Sequence, residues 1–369
     1  MSNSFGYVKV ICLFFLTSIF LVWIGCQSNQ YTMEDFSKIE KIDVHVHANA
    51  DNSAFIDQAI ADNFKLFTMA VDYPDFPPVE VQHQVSKSLK KSYPDRIAWA
   101  STFFMAGWDS PDWQQKTIDY LDQTLAEGAV AVKAWKNIGM AFRDKDSNLI
   151  MLDDPKLDNI FGHLKEKNIP LFNHVGEPKD CWLPVEEMMV NGDKEYFKNH
   201  PQYYMYLHPE MPSYEEQLAA RDRMLEKNRD LRFVGVHLAS LEWNVDEIAK
   251  FLDHFPNAVV DIAARTGQVQ YQSSQDREKV RQFFIKYQDR LLYATDITQE
   301  VEGDMNEFKQ GVHEGWLSDW KYFVTDSTMT VSDLDNPFQG LALPKIVSDK
   351  FYRLNSEKLL PGAWKKKEI

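Results

Sequence analysis

Lys41-Ile42-Asp43-Val44-His45-Val46-His47 reads as a short strand in which polar and apolar residues alternate. Side chains two apart on a strand point to the same face. The alternation therefore predicts Asp43, His45 and His47 on one face and Ile42, Val44 and Val46 on the other. Two imidazoles at that spacing can grip one metal ion; an amphipathic surface strand is the competing reading. Outward from this strand, seven more short apolar runs occur at 64–71, 97–105, 129–135, 169–175, 231–238, 258–264 and 291–297. Amphipathic stretches lie between them, such as 112–127, 156–167 and 245–255, with helix-start signals at Asn244 and at Ser110-Pro111-Asp112. A further helical stretch, 345–359, follows the eighth run. Eight strand–helix repeats predict an α/β chain folded as a (β/α)8 TIM barrel. A doubly wound open sheet is the alternative, but no Gly-rich phosphate loop follows the first strand.

Between the fifth and sixth runs lie residues 177–230, far more than a βα loop needs. This stretch holds Trp182, Tyr196, Phe197, Tyr203, Tyr204, Tyr206 and His208, then a helix-like run at 214–226. A long aromatic-rich insertion after strand 5 is expected to roof the strand ends, where loops carry function.

The chain has 369 residues and a net charge of −15, so nucleic acid is not an expected partner. Lys9 precedes an uncharged apolar run over 10–25 with the proportions of a secretory signal. The run ends at Trp23-Ile24-Gly25-Cys26, which resembles a bacterial lipobox, although Trp23 stands where an aliphatic residue is usual. The expected organisation is a signal peptide over 1–26, a tether over 27–37 and one catalytic domain over 38–369. Lipidation of Cys26 would make the mature chain an exported lipoprotein, periplasmic or attached to the outer membrane, touching the membrane only through its anchor. An uncleaved anchor is the alternative. With Cys12 and Cys26 so used, only Cys181 remains and no intramolecular disulfide can form.

In such a barrel the chemistry sits at the strand C-termini. Here those ends carry His45 and His47, Lys133, His174, His237 and, in Ala294-Thr295-Asp296, an acid. Each alone has a dull explanation as a core histidine or a helix cap. Together they form a donor set that suits Zn²⁺ or a similar ion, whose charge would offset the clustered polar groups. On the fourth strand Lys133 shares a face with Ala129 and Ala131, and the bulkier neighbours are expected to face the helices, so Lys133 points inward. Lys136 would face the opposite way if that strand persisted. Arg265 at the mouth would grip a substrate carboxylate or pair with a loop acid. Glu177, Trp182 and His208 are further substrate-contact candidates.

The set His-x-His, Lys, His, His and Asp, in this order over about 41–360, resembles the amidohydrolase superfamily. Asn173-His174-Val175-Gly176-Glu177, Leu292-Tyr293-Ala294-Thr295-Asp296 and the tail around Asn355-Ser356-Glu357-Lys358-Leu359-Leu360 resemble its amidohydrolase-2 branch, which also holds metal-dependent decarboxylases. The resemblance implies that His45, His47 and Asp296 bind a first metal and that His174 joins them or binds a second ion. It implies that His237 binds a second ion or substrate, that Lys133 is a carboxylated bridge if two metals are held, with an ordinary cation near the substrate as the alternative, and that Asp296 is also the general base. Implied cofactors are one or two divalent ions, zinc first, with manganese or iron as alternatives. The implied activity is hydrolysis of an ester, lactone or amide of a small molecule by metal-activated water. Non-oxidative decarboxylation of an aromatic or unsaturated acid is the alternative, and a non-catalytic ligand-binding lipoprotein the second.

Overall fold

The computed structural model describes residues 29–73 and 75–365. The expected signal and Cys26 lie outside the described residues. Among these residues, no helix is long and apolar enough to cross a membrane.

The fold is α/β, built on one curled parallel sheet of nine strand pieces in the order β8-β7-β6-β5-β4-β3-β2-β1-β9. These are β1 Lys41–Ala48, β2 Phe64–Met69, β3 Ile97–Thr102, β4 Ala131–Ala134, β5 Leu171–Asn173, β6 Phe233–Gly235, β7 Ala258–Asp261, β8 Leu291–Leu292 and β9 Ile297–Gln299. Each predicted run contains one strand, except that 291–297 divides. Its first half pairs with β7, and β9 pairs with β1 at the far end of the order. The linking residues bond to β1 as well: Val44 N–H donates to Tyr293 O (3.1 Å) and Asp296 N–H to His45 O (2.8 Å). The sheet thus curls until both its ends belong to one short segment.

Two of the three apolar clusters among the described residues follow from this curl. Ile42, Val44, Phe67, Phe172, Val234 and Leu292 form the core inside the curl, capped by Leu360 and Trp364 from the C-terminal end. Trp364 Nε1–H donates to Leu66 O at 3.0 Å and so ties that plug to β2. The larger core lies between sheet and helices and includes Val46, Phe64, Val132, Trp316 and Phe323.

The face assignment for β1 needs correction. Asp43 pairs with Leu66 and Val46 with Thr68, so three steps along β1 match two along β2. This bulge adds a residue and switches the face of everything after it. Ile42 and Val44 lie in the inner core, Val46 in the outer one. Asp43 therefore does not share a face with the histidines. Its carboxylate turns outward to Trp316 Nε1 (3.0 Å), while His45 and His47 turn inward.

A helix absent from the sequence expectation, Met305–Val324, follows β9. Its signals are visible in retrospect: Asp304 caps it through the N–H groups of Asn306 and Glu307, and Val312, Trp316 and Trp320 recur every four residues. Trp316 stacks on Phe64 at 4.0 Å. Residues 29–36 lie against this helix and its neighbours, with Tyr31 5.5 Å from Trp320 and its hydroxyl donating to Asp349 (2.7 Å).

Candidate metal centre

The inward turn of β1 brings His45 and His47 beside groups from four other strand ends. Lys133 lies within β4, His174 follows β5, His237 follows β6, and Asp296 sits between β8 and β9. All six residues line one polar cavity of about 150 Å³. Asp296 Oδ1 is 3.1 Å from His45 Nε2 and 3.2 Å from His47 Nε2, and its Oδ2 is 3.8 Å from His237 Nε2. The rings of His174 and His237 are 4.1 Å apart.

The second nitrogen of each ring decides what these contacts mean. His47 Nδ1 faces Met69 O at 2.8 Å and His237 Nδ1 faces Ala263 O at 2.7 Å. A carbonyl only accepts, so each Nδ1 carries the proton and each neutral ring keeps its Nε2 lone pair. His45 Nδ1 faces the Asp261 carboxylate at 3.3 Å, with the same consequence. Three lone pairs thus converge on the Asp296 carboxylate. Lys133 Nζ meets the His45 lone pair at 3.1 Å, but no bond joins it to His47, His237 or Asp296, and acceptors facing acceptors there need a cation between them. Protonated rings would serve, but burial drives the pKa values of His45, His174 and His237 well down. Burial opposes charge on Asp296 too, and only positive charge on His45, His237 and His47 would hold its carboxyl below the usual range, so neutral rings leave that part to a bound cation. A divalent ion fits this donor set, and the buried His174 Nε2, which has no hydrogen-bond partner, leaves one more lone pair beside it.

The backbone is strained where it presents these groups. Asp296 has φ 69°, and His237, Leu238, Ala239 and Ser240 run at 56–58°. Such left-handed conformations cost about 1 kcal/mol or more per residue and recur at functional sites. Gly235 makes the turn possible, because a Cβ there would lie 2.5 Å from Ala239 Cβ and 3.0 Å from Ala239 Cα. Gly235→Ala is therefore expected to cost about 1–3 kcal/mol and to misplace His237. An unchanged denaturation midpoint would show that the turn has room to give.

Lys133 points inward as the strand pattern predicted, its Nζ 3.1 Å from His45 Nε2, and burial brings its amine down to about 8 against the pull of Asp261 and Asp296. Lys136 does not face away: β4 ends at Ala134, and Lys136 pairs with Glu177 at the edge of the polar cavity. Arg265 is buried and lines neither this cavity nor the larger one beside it. It lies close enough to Glu242 and Asp193 to counter the effect of burial on their carboxyls. Trp182 packs on Tyr214 and donates to Pro212 O, and His208 bonds Pro201 and Glu210 within its own segment; neither lines either cavity.

Sequence reasoning missed Asp261 as part of the centre. Its Oδ1 takes the N–H groups of His237 (2.8 Å) and Ala263 (3.2 Å), while Oδ2 orients His45. The available signal was an acid closing the apolar strand Ala258-Val259-Val260. Tyr73 and Phe76, also in the lining, carried no periodic signal.

A family model described as amidohydrolase matches residues 42–362. No curated protein matches the chain. Solved structures similar in fold include an uncharacterized TIM-barrel protein from Bordetella bronchiseptica, with 14% identity, 89% of this chain and 100% of that one covered, and a TM-score of 0.51. Another is 2,6-dihydroxybenzoate decarboxylase from Rhizobium, with 12% identity, coverage of 87% and 98%, and a TM-score of 0.52. At these identities the likeness is one of fold.

Proposed function

Because the chain belongs to the amidohydrolase family, we propose that it is a metal-dependent hydrolase of a small-molecule ester, lactone or amide. The sheet is read here as a (β/α)8 barrel with a split eighth strand, and 177–230 as an insertion over its mouth. The carrying observation is the convergence of three Nε2 lone pairs on the Asp296 carboxylate. His45, His47 and Asp296 would hold one ion, zinc first, and His174 and His237 would complete it or hold a second. With two ions, a carboxylated Lys133 would add a further anionic ligand to the set. Bound there, a divalent ion contributes Lewis acidity that activates water and polarises a carbonyl. Asp296 takes the proton from the attacking water and returns it to the leaving group. Met69 O, Ala263 O and Asp261 keep the rings in the ligating tautomer.

The second reading, decarboxylation, uses the same centre. It is favoured by Lys136, a cation at the cavity rim. Lys136 would have to exchange Glu177 for the substrate carboxylate, in place of Arg265, which does not line either cavity. Elemental analysis of the purified chain should find one or two divalent ions, and a chelator should abolish hydrolysis of ester, lactone or amide panels until metal is restored. Turnover indifferent to chelation would reject both readings. CO₂ release from aromatic acids without any hydrolysis would transfer the assignment to the second.

A further inference from the structure

The polar cavity of about 150 Å³ is too small to enclose a whole substrate, since small-molecule sites are usually about 300–1,000 Å³. A second chamber of about 380 Å³ adjoins it, with Tyr73, Trp135 and Lys136 common to both linings. From the metal centre outward the wall is aromatic. His47 meets Phe76 at 5.1 Å, Phe76 meets Tyr73 at 5.2 Å, and Tyr73 meets Trp135 at 4.8 Å, all edge to face. Phe142, Met140 and Tyr203 continue this lining in the outer chamber, Tyr203 coming from the 177–230 segment. Tyr73, Trp135, Phe142 and Tyr203 stay partly exposed inside a concavity, where apolar area in water marks a binding surface.

Charge narrows the class. Among the described residues, Lys136 is the only cation in the outer lining, and it is already paired with the buried Glu177. The remaining ionisable lining groups, Asp72 and the tyrosines, bring no positive charge. A ring carrying its own anion would lose hydration and gain no free partner.

Resting on the hydrolase reading, the geometry points to a substrate with a flat, uncharged aromatic body in the outer chamber and its reacting carbonyl group at the metal centre. Methyl ketones test this without turnover, because they offer a carbonyl that cannot be hydrolysed. Acetophenone, cyclohexyl methyl ketone, acetone and 4-acetylbenzoate are titrated by calorimetry into the full, metal-loaded chain. Acetophenone should bind about tenfold or more tighter than acetone, as burying one ring predicts. It should also bind tighter than 4-acetylbenzoate and cyclohexyl methyl ketone. Phe142→Ala and Trp135→Leu should each remove most of that preference. Equal binding of acetone and acetophenone, or tighter binding of the charged or the saturated analogue, would overturn the inference. So would a preference untouched in both variants when circular dichroism shows them folded. Aromatic preference in a chain that hydrolyses nothing would defeat the hydrolase reading and leave the chamber standing. Hydrolysis of short aliphatic esters with no gain for phenyl esters would do the reverse.

Discussion

Asp296→Asn is expected to lower turnover about a thousandfold while leaving the chain folded, within the range general for loss of a positioned acid–base group. Asp296 stands apart from the other groups of the centre in being reachable. Its side chain is 29% exposed, against 1% for His45, 7% for His47 and 2% for His237. A substrate or water entering the cavity therefore meets the carboxylate first. Two effects would combine in the variant. Asparagine keeps an oxygen for a cation but loses the charge, so metal affinity falls; it also cannot take a proton from water. Assay with metal in excess separates them. If excess metal restores turnover, Asp296 is only a ligand. If turnover stays low with the ion bound, the proton-transfer role stands. Full activity without added metal would remove Asp296 from the mechanism.

The strands were legible because a buried parallel strand is a short apolar run, and eight such runs, separated by amphipathic stretches, leave few alternatives. The metal-centre residues were legible because imidazoles and acids at the ends of such runs are conspicuous. What was hidden depends on one-residue details. The bulge in β1 has no compositional mark, since Asp43, His45 and His47 alternate perfectly in sequence, yet it sends Asp43 out of the set. Lys136 joins the cavity because β4 stops two residues before it, and strand ends are set by tertiary packing rather than by local propensity. Asp261 looked like one more strand residue until the positive-φ turn at His237 offered its N–H to it. The helix Met305–Val324 was readable from its four-residue spacing and its Asp304 cap but competes with a loop-like acidic start at 300–304.

Asp43 supports the largest expected change in stability. Its two oxygens accept four hydrogen bonds: His45 N–H (3.3 Å) and Thr295 N–H (3.1 Å) to Oδ1, Thr295 Oγ1–H (2.6 Å) and Trp316 Nε1–H (3.0 Å) to Oδ2. The residue is fully buried. Through these bonds one side chain joins the bulge of β1, the break between β8 and β9, and the outer helix Met305–Val324. Asp43→Ala strands those donors in the interior, and each buried unsatisfied donor costs about 1–3 kcal/mol, so a loss of about 3–5 kcal/mol is expected after relaxation. Asp43→Asn is the sharper test, because it keeps the volume and one acceptor while turning an amide toward two donors. Its expected cost is about 2 kcal/mol. Thr295 precedes Asp296 and the bulge aims His45, so Asp43→Asn should also weaken metal retention about tenfold, as loss of a group that orients ligands does. Ion release measured against a chelator distinguishes this from a merely structural role. A variant that unfolds earlier yet keeps its ion as tightly as the parent chain would confine Asp43 to holding the sheet together.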